Sequence, residues 1–120
     1  MSDLYYTPWH EWVRLEDGAA AVGLTGVGVT GDVVYIELPD IGCSLDKGDV
    51  CASVETVKTI SEVHSPLNGI VTAVNDDVFD DPDLISRKPL DTWLFKLNVP
   101  GADPQGLLTE QEYAEIKQTK

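Results

Sequence analysis

Between Val13 and Val99 the apolar residues come in short bursts rich in Val, Ile and aromatic side chains, each stopped by Gly, Pro, Asn or Asp. Punctuation at intervals of about 8–12 residues leaves little room for ordinary helices and points to many short strands. Val13–Leu15, Ala19–Leu24 and Val33–Leu38 read as strands, divided by Glu16-Asp17-Gly18 and by a glycine-bearing stretch from Gly26 to Gly31. In Val33–Leu38 β-branched and aromatic residues dominate, as a pleated, half-buried surface prefers. Pro39-Asp40-Ile41-Gly42 ends that strand, and Asp46-Lys47-Gly48 is a further turn before Val50–Glu55. Ile60–His64 follows. Asn68-Gly69 then favours the positive φ of a tight hairpin turn, ahead of Ile70–Val74. Thr92–Val99 reads as the last strand.

Two features qualify this all-β pattern. Gly48-x-Val50-x-Ala52-x-Val54 and Gly69-x-Val71-x-Ala73-Val74 share Gly, Val and Ala 21 residues apart, a hint of two related β halves. Near the C-terminus, Thr109-Glu110-Gln111-Glu112 is a capping box, with Leu108 and Tyr113 at the staple positions, so a helix is expected over about Glu110–Lys117. Asp76–Asp83 reads as a solvated turn or short helix. It lacks the glycine and glutamate a calcium-binding loop requires at its sixth and twelfth positions. The expected fold is therefore all-β with a C-terminal helix, a sandwich or flattened barrel in a single domain over residues 1–120.

The 120 residues suffice for one core, and no apolar run approaches the roughly 18–20 residues that span a bilayer. Formal charge is −13, from 21 acidic against 8 basic side chains. That field repels nucleic acid and anionic membranes, keeps the protein soluble, and favours encounter with basic partners. The start, MSDLYYTPWHEW, has neither the basic and apolar regions of a secretory signal nor the Arg/Ser-rich character of a transit peptide. A cytoplasmic protein is expected, or an organelle-matrix protein whose transit peptide has been removed. No heptad or apolar stripe appears, so a monomer is expected. Cys43 and Cys51 read as small apolar residues; with His10 and His64 they are too few and too scattered for a zinc site.

Catalytic signatures are missing: no Gly-x-Ser-x-Gly elbow, no HExxH and no phosphate loop. Gly26-Val-Gly28-Val-Thr-Gly31 has GxGxxG spacing, but no strand-to-helix transition is expected there. The protein does not read as a free-standing enzyme. What stands out is Lys58, midway between Val50–Glu55 and Ile60–His64 in Thr56-Val57-Lys58-Thr59, a turn without the usual Gly, Asn, Asp or Pro. A lysine projecting from a rigid β scaffold is open to a modifying enzyme, and acylation would turn it into a long neutral tether. Glu37, Glu55 and Glu62 would keep its surroundings hydrophilic. By spacing alone, an ordinary surface lysine fits equally well.

Several segments, in order, resemble one family. They are Tyr6-Thr7-Pro8-x-His10-Glu11-Trp12-Val13, Val22-Gly23-Leu24-Thr25, Gly31-Asp32-Val33-Val34-Tyr35-Ile36-Glu37-Leu38-Pro39, Val54-Glu55-Thr56-Val57-Lys58, Ser65-Pro66-x-x-Gly69, Val74-Asn75, Trp93-Leu94-Phe95-Lys96 and Leu107-Leu108-x-x-x-x-Tyr113. The chain resembles the glycine cleavage system H-proteins, which are lipoyl carriers. The resemblance implies a barrel-sandwich hybrid fold, with lipoate attached to Lys58 at a β-hairpin tip. It implies that the arm carries the aminomethyl group of glycine between a pyridoxal-phosphate glycine decarboxylase, a tetrahydrofolate-dependent aminomethyltransferase and a dihydrolipoamide dehydrogenase. A lipoate ligase or lipoyl transferase would attach it, reading Glu55, Val57 and Thr59. Glu11 and Glu62 would contact the loaded arm in a cleft, whereas His10 and Trp12 are expected to pack the N-terminal segment.

The chain departs from the family pattern in three places. Gly26–Thr30 is shorter and glycine-rich, Thr56 and Thr59 stand where Ala and Ser are commoner, and Leu90-Asp91-Thr92 precedes Trp93. A lipoylated H-like relative with a relay, redox or regulatory role and other partners shares every local feature of the hairpin. A biotin carrier fits poorly, because neither Val57 nor Thr59 is the Met that usually flanks a biotinylated lysine.

Overall fold

The structure is a computed structural model and describes residues 3–16, 18–25, 33–99 and 107–118. Among them are nine strands: β1 (Asp3–Tyr6), β2 (Glu11–Glu16), β3 (Ala19–Leu24), β4 (Val33–Glu37), β5 (Ser44–Leu45), β6 (Val50–Thr56), β7 (Ile60–His64), β8 (Gly69–Val74) and β9 (Trp93–Asn98). The helices are α1 (Asp77–Asp80), α2 (Leu84–Arg87) and α3 (Glu110–Gln118), with a 3₁₀ turn at Pro89–Asp91. The strands form two sheets, ordered β1-β2-β3-β9-β8-β5 and β4-β6-β7, with every pairing antiparallel. The all-β expectation with a terminal helix holds, as two open sheets packed as a sandwich.

Period-two alternation builds the core. Along β6, Ala52, Val54 and Thr56 are buried while Cys51, Ser53 and Glu55 are only partly covered. Val13, Val22, Phe95 and Leu97 of the larger sheet meet Ile36, Val54 and Val63 of the smaller one in a single cluster, joined by Val78 of α1 and Ile85 of α2. Each such side chain, fully buried, contributes about 1.5–3 kcal/mol. A second cluster lies apart, where Tyr6, Trp12 and Tyr113 pack with Trp93 and Leu108 beneath α3. Trp12 lies across its strand partner Gly23, and a Cβ there would fall 2.4 Å from the indole. Only glycine admits that contact.

The capping box forms as read. Thr109 N–H donates to Glu112 Oε1 at 3.0 Å, and Glu112 N–H donates to Thr109 Oγ1 at 3.2 Å. The repeat also has a structural counterpart: its two copies are β6 and β8, one in each sheet, and each shifts register between the repeat's Val and Ala.

Other readings need correction. β1 and β5 escaped the sequence, being short pieces whose pairing comes from tertiary contact rather than from pattern. β2 begins at Glu11, two residues before the apolar run, because Glu11 is drawn inward by a partner on another sheet. Asn68-Gly69 is not a hairpin turn, since β7 and β8 belong to different sheets. Asn68 Oδ1 instead accepts the Lys47 N–H at 2.6 Å, and a Cβ on Gly69 would meet the Asn98 carbonyl at 2.8 Å. Positive φ is found at Gly18, Gly42, Gly48 and His10. The acidic segment folds into α1, but α2 and the 3₁₀ turn beyond it were not anticipated. The Gly26–Gly31 stretch lies outside the described residues.

Candidate functional site around Lys58

The β6–β7 hairpin carries the site. Glu55 pairs with Ile60, leaving Thr56 to Thr59 to close the turn. Thr56 does the work that glycine or asparagine does in commoner turns. Its N–H donates to the Thr59 carbonyl at 2.8 Å, and its hydroxyl donates to the same oxygen at 3.3 Å. The hydroxyl oxygen also accepts the N–H groups of Lys58 at 3.3 Å and Thr59 at 3.2 Å. A buried threonine thus gathers the backbone of the tip, and no tip residue needs a positive φ.

Beyond this anchor everything is open. Val57 is 76% exposed, and Lys58, Thr59 and Ile60 are exposed beside it. Among the described residues no carboxylate pairs with Lys58, so its ammonium projects from the tip without a fixed partner. β6 is the middle strand of its sheet, held by β4 on one side and β7 on the other, so the base of the tip is rigid. Glu55 sits partly covered between Tyr35 and Ile60, while Glu62 lies exposed opposite Ser53. An unpaired primary amine on a rigid turn fits an amide-linked lipoyl arm: the residues around it neither bury it nor block it.

Glu11 lies in the interior. Its side chain is fully buried at the start of β2. Oε1 accepts the Thr7 hydroxyl at 3.2 Å, and Oε2 accepts the His64 N–H at 2.5 Å with His64 Nδ1 at 3.2 Å. Trp9 stacks on the His64 ring at 4.6 Å between centroids. Burial pushes the Glu11 carboxyl up to about 7, against the opposing pull of the His64 and Thr7 hydrogen bonds. Glu11 therefore clamps the larger sheet to the end of β7, and in this arrangement it presents no open surface to a tether. The sequence does not show His64 as its partner, because a separation of 53 positions along the chain erases any local signal.

His10 and Trp12 pack, as expected. His10 Nδ1 lies 2.8 Å from the Tyr113 hydroxyl, which is also 2.7 Å from Thr25 Oγ1, and Trp12 Nε1 donates to the Pro89 carbonyl at 2.8 Å. Cys51 is partly buried, and burial pushes its thiol up to about 12, far from a reactive thiolate. Among the described residues no cluster of His, Cys, Asp and Glu is arranged to hold a metal.

Comparison with known proteins agrees with this geometry. The family model described as glycine cleavage H-protein matches residues 4–120. A glycine cleavage system H protein of Listeria monocytogenes serotype 4a (strain HCC23) is 42% identical over 118 residues, covering 95% of this chain and 94% of that protein. One from Bacillus velezensis (strain DSM 23117 / BGSC 10A6 / LMG 26770 / FZB42) is 38% identical over 120 residues, covering 97% of this chain and 94% of that protein. The crystal structure of a glycine cleavage system H protein from Mycobacterium marinum superposes with a TM-score of 0.83 at 35% identity, covering 94% of each chain. With the family model spanning nearly all of its length, this chain belongs to the glycine cleavage H-protein family.

Proposed function

We propose that Lys58 is the residue on which this H-protein carries its lipoyl group. The family function is that of a lipoyl carrier in glycine cleavage, and the relatives matched over nearly the whole chain bear that name rather than that of a lipoylated protein with other partners. The observation that supports the placement is an exposed, unpaired amine at the tip of a turn locked by Thr56. When attached, the lipoyl group supplies a disulfide that takes up a one-carbon unit with two electrons and is later reoxidised. The protein's own residues hold the attachment point out from the sheet, keep its flanks hydrophilic through Glu55 and Glu62, and leave the arm free to swing.

In this reading the partners are the pyridoxal-phosphate decarboxylase, the tetrahydrofolate-dependent aminomethyltransferase and the dihydrolipoamide dehydrogenase of the system. The protein is a carrier and not itself an enzyme. It acts in the cytoplasm as a monomer, which its charge of −13 supports by opposing self-association. No described helix is long and apolar enough to cross a membrane.

Intact-mass spectrometry after incubation with a lipoate ligase, ATP and lipoate tests the assignment, beside a Lys58→Arg control. One lipoyl increment on the wild type and none on the variant is the expected result. An increment that survives Lys58→Arg moves the site elsewhere.

A further inference from the structure

A cleft of about 380 Å³ lies between β4 and α1, lined by Val34, Tyr35, Ile36, Val78, Phe79 and Pro82. Its apolar walls face solvent: Val34 is 54% exposed, Tyr35 55% and Phe79 51%. The cause is visible in the register, which shifts between Val33 and Tyr35 where β4 pairs with β6. That irregularity breaks the alternation, so two consecutive large side chains, Val34 and Tyr35, both point outward. Exposed aromatic and aliphatic groups gathered about a cleft lose free energy to water unless something covers them.

The rim and position of the cleft indicate what covers it. Asp76, Asp77 and Asp80 are exposed on the α1 side and Glu37 on the β4 side, and among the described residues none of them forms an ion pair. An apolar slot flanked by elements that carry exposed carboxylates complements an apolar side chain flanked by Lys or Arg. The cleft also sits beside the modification turn. Val33 pairs with Thr56 and Tyr35 with Glu55, so Tyr35 lies opposite the last strand residues before the turn that carries Lys58. A protein seated in the cleft stands next to the strand pair that ends in the Lys58 turn.

Selectivity narrows the occupant to one class. Lys47, Lys88 and Lys96 are exposed, as Lys58 is. Enzymes that use the loaded carrier have the arm itself to recognise. The enzyme that attaches the arm has only the protein surface, and it must choose one lysine from several. We propose that the β4–α1 cleft is the docking surface for the enzyme that acylates Lys58, with the contact on that enzyme an aromatic or aliphatic side chain flanked by basic residues. This rests on Lys58 being the lipoyl attachment site. In the step it directs, the Lys58 amine attacks the acyl carbon of lipoyl-adenylate. The C–N bond forms, the acyl–oxygen bond breaks, AMP leaves with the electron pair, and the nitrogen releases a proton to solvent.

The test measures initial rates of lipoyl transfer by a lipoate ligase, with ATP and lipoate, to the full apo-chain. It compares the wild type, the double variant Tyr35→Ser/Phe79→Ser, the charge variant Asp77→Asn/Asp80→Asn, and Ile70→Ser, an exposed apolar control on β8. Thermal unfolding of each variant accompanies the rates. The double variant is expected to raise KM about tenfold with kcat within about twofold, as loss of interface anchors does. The charge variant is expected to raise KM severalfold at low salt and to flatten its salt dependence, while the control matches the wild type. The proposal requires both changes. A KM within about twofold of wild type in either variant, or an equal rise in the control, overturns it while leaving the Lys58 assignment standing. A wild type that gains no lipoyl group removes the Lys58 assignment, and the docking surface with it.

Discussion

β7 runs from one kind of polar site to another. At its start, two residues past Lys58, the turn exposes a charge and holds its backbone by contacts that span only two or three residues. At its end, His64 meets a buried carboxylate across 53 residues, and the same burial that holds Glu11 in place pushes its carboxyl up to about 7. Both sites rest on threonine hydroxyls: Thr56 closes the turn and Thr7 braces Glu11. The contrast separates two uses of polar chemistry. A group that must reach an enzyme is positioned through its backbone and left solvated. A group that ties two sheets together is desolvated and charges its cost to the pH scale.

The contrast breaks most visibly under substitution. Glu11→Ala is expected to lower stability by about 3 kcal/mol, because it strands the His64 N–H and opens a cavity between the sheets. Lys58→Arg is expected to change stability by less than about 0.5 kcal/mol while abolishing lipoylation, since it touches only solvent. Denaturant unfolding of the two variants beside the wild type checks both. Equal stability losses would mean that the clamp and the turn do not differ as described.

The pH dependence sharpens the same point. Glu11 titrates near 4.5 when unfolded and at about 7 when folded, so between those values the folded state holds more protons. Stability from this group is therefore fully present below about pH 4.5 and is lost as pH rises towards and through 7. The span corresponds to at most about 3 kcal/mol. Thermal unfolding from pH 5 to 8 is expected to show wild-type stability falling relative to Glu11→Gln, which cannot ionise. Parallel curves for the two proteins would mean that Glu11 stays charged in the fold.

A smaller effect tests the turn. Thr56→Ala removes the hydroxyl that gathers the Lys58 and Thr59 N–H groups and is expected to cost about 1 kcal/mol. It should also slow lipoylation of Lys58 while leaving the Glu11 pH effect unchanged. A variant that is acylated at the wild-type rate would show that the tip needs no such closure.

Much of the architecture was legible because strand propensity, alternation and caps are local. β3 and β7 begin and end where the sequence placed them, and the capping box at Thr109 and Glu112 forms both of its hydrogen bonds. The Lys58 tip was equally legible, since a lysine between two β runs needs nothing distant to define it. Asn68-Gly69 misled because a dipeptide cannot say which sheet the next strand joins. Glu11 was picked out by family pattern as an arm contact, whereas its burial and His64 partnership depend on two sheets meeting.

By itself the sequence determined seven of the nine described strands, the C-terminal helix and a lysine between β6 and β7, because each follows from steric and hydrogen-bonding rules that act within a few residues. Only the tertiary structure decided how strands were shared between the sheets, that Glu11 would be buried with its carboxyl pushed up to about 7, and that the β4 irregularity would expose Val34 and Tyr35 beside α1. Those outcomes depend on desolvation and on contacts between residues far apart in the chain, which no local pattern encodes.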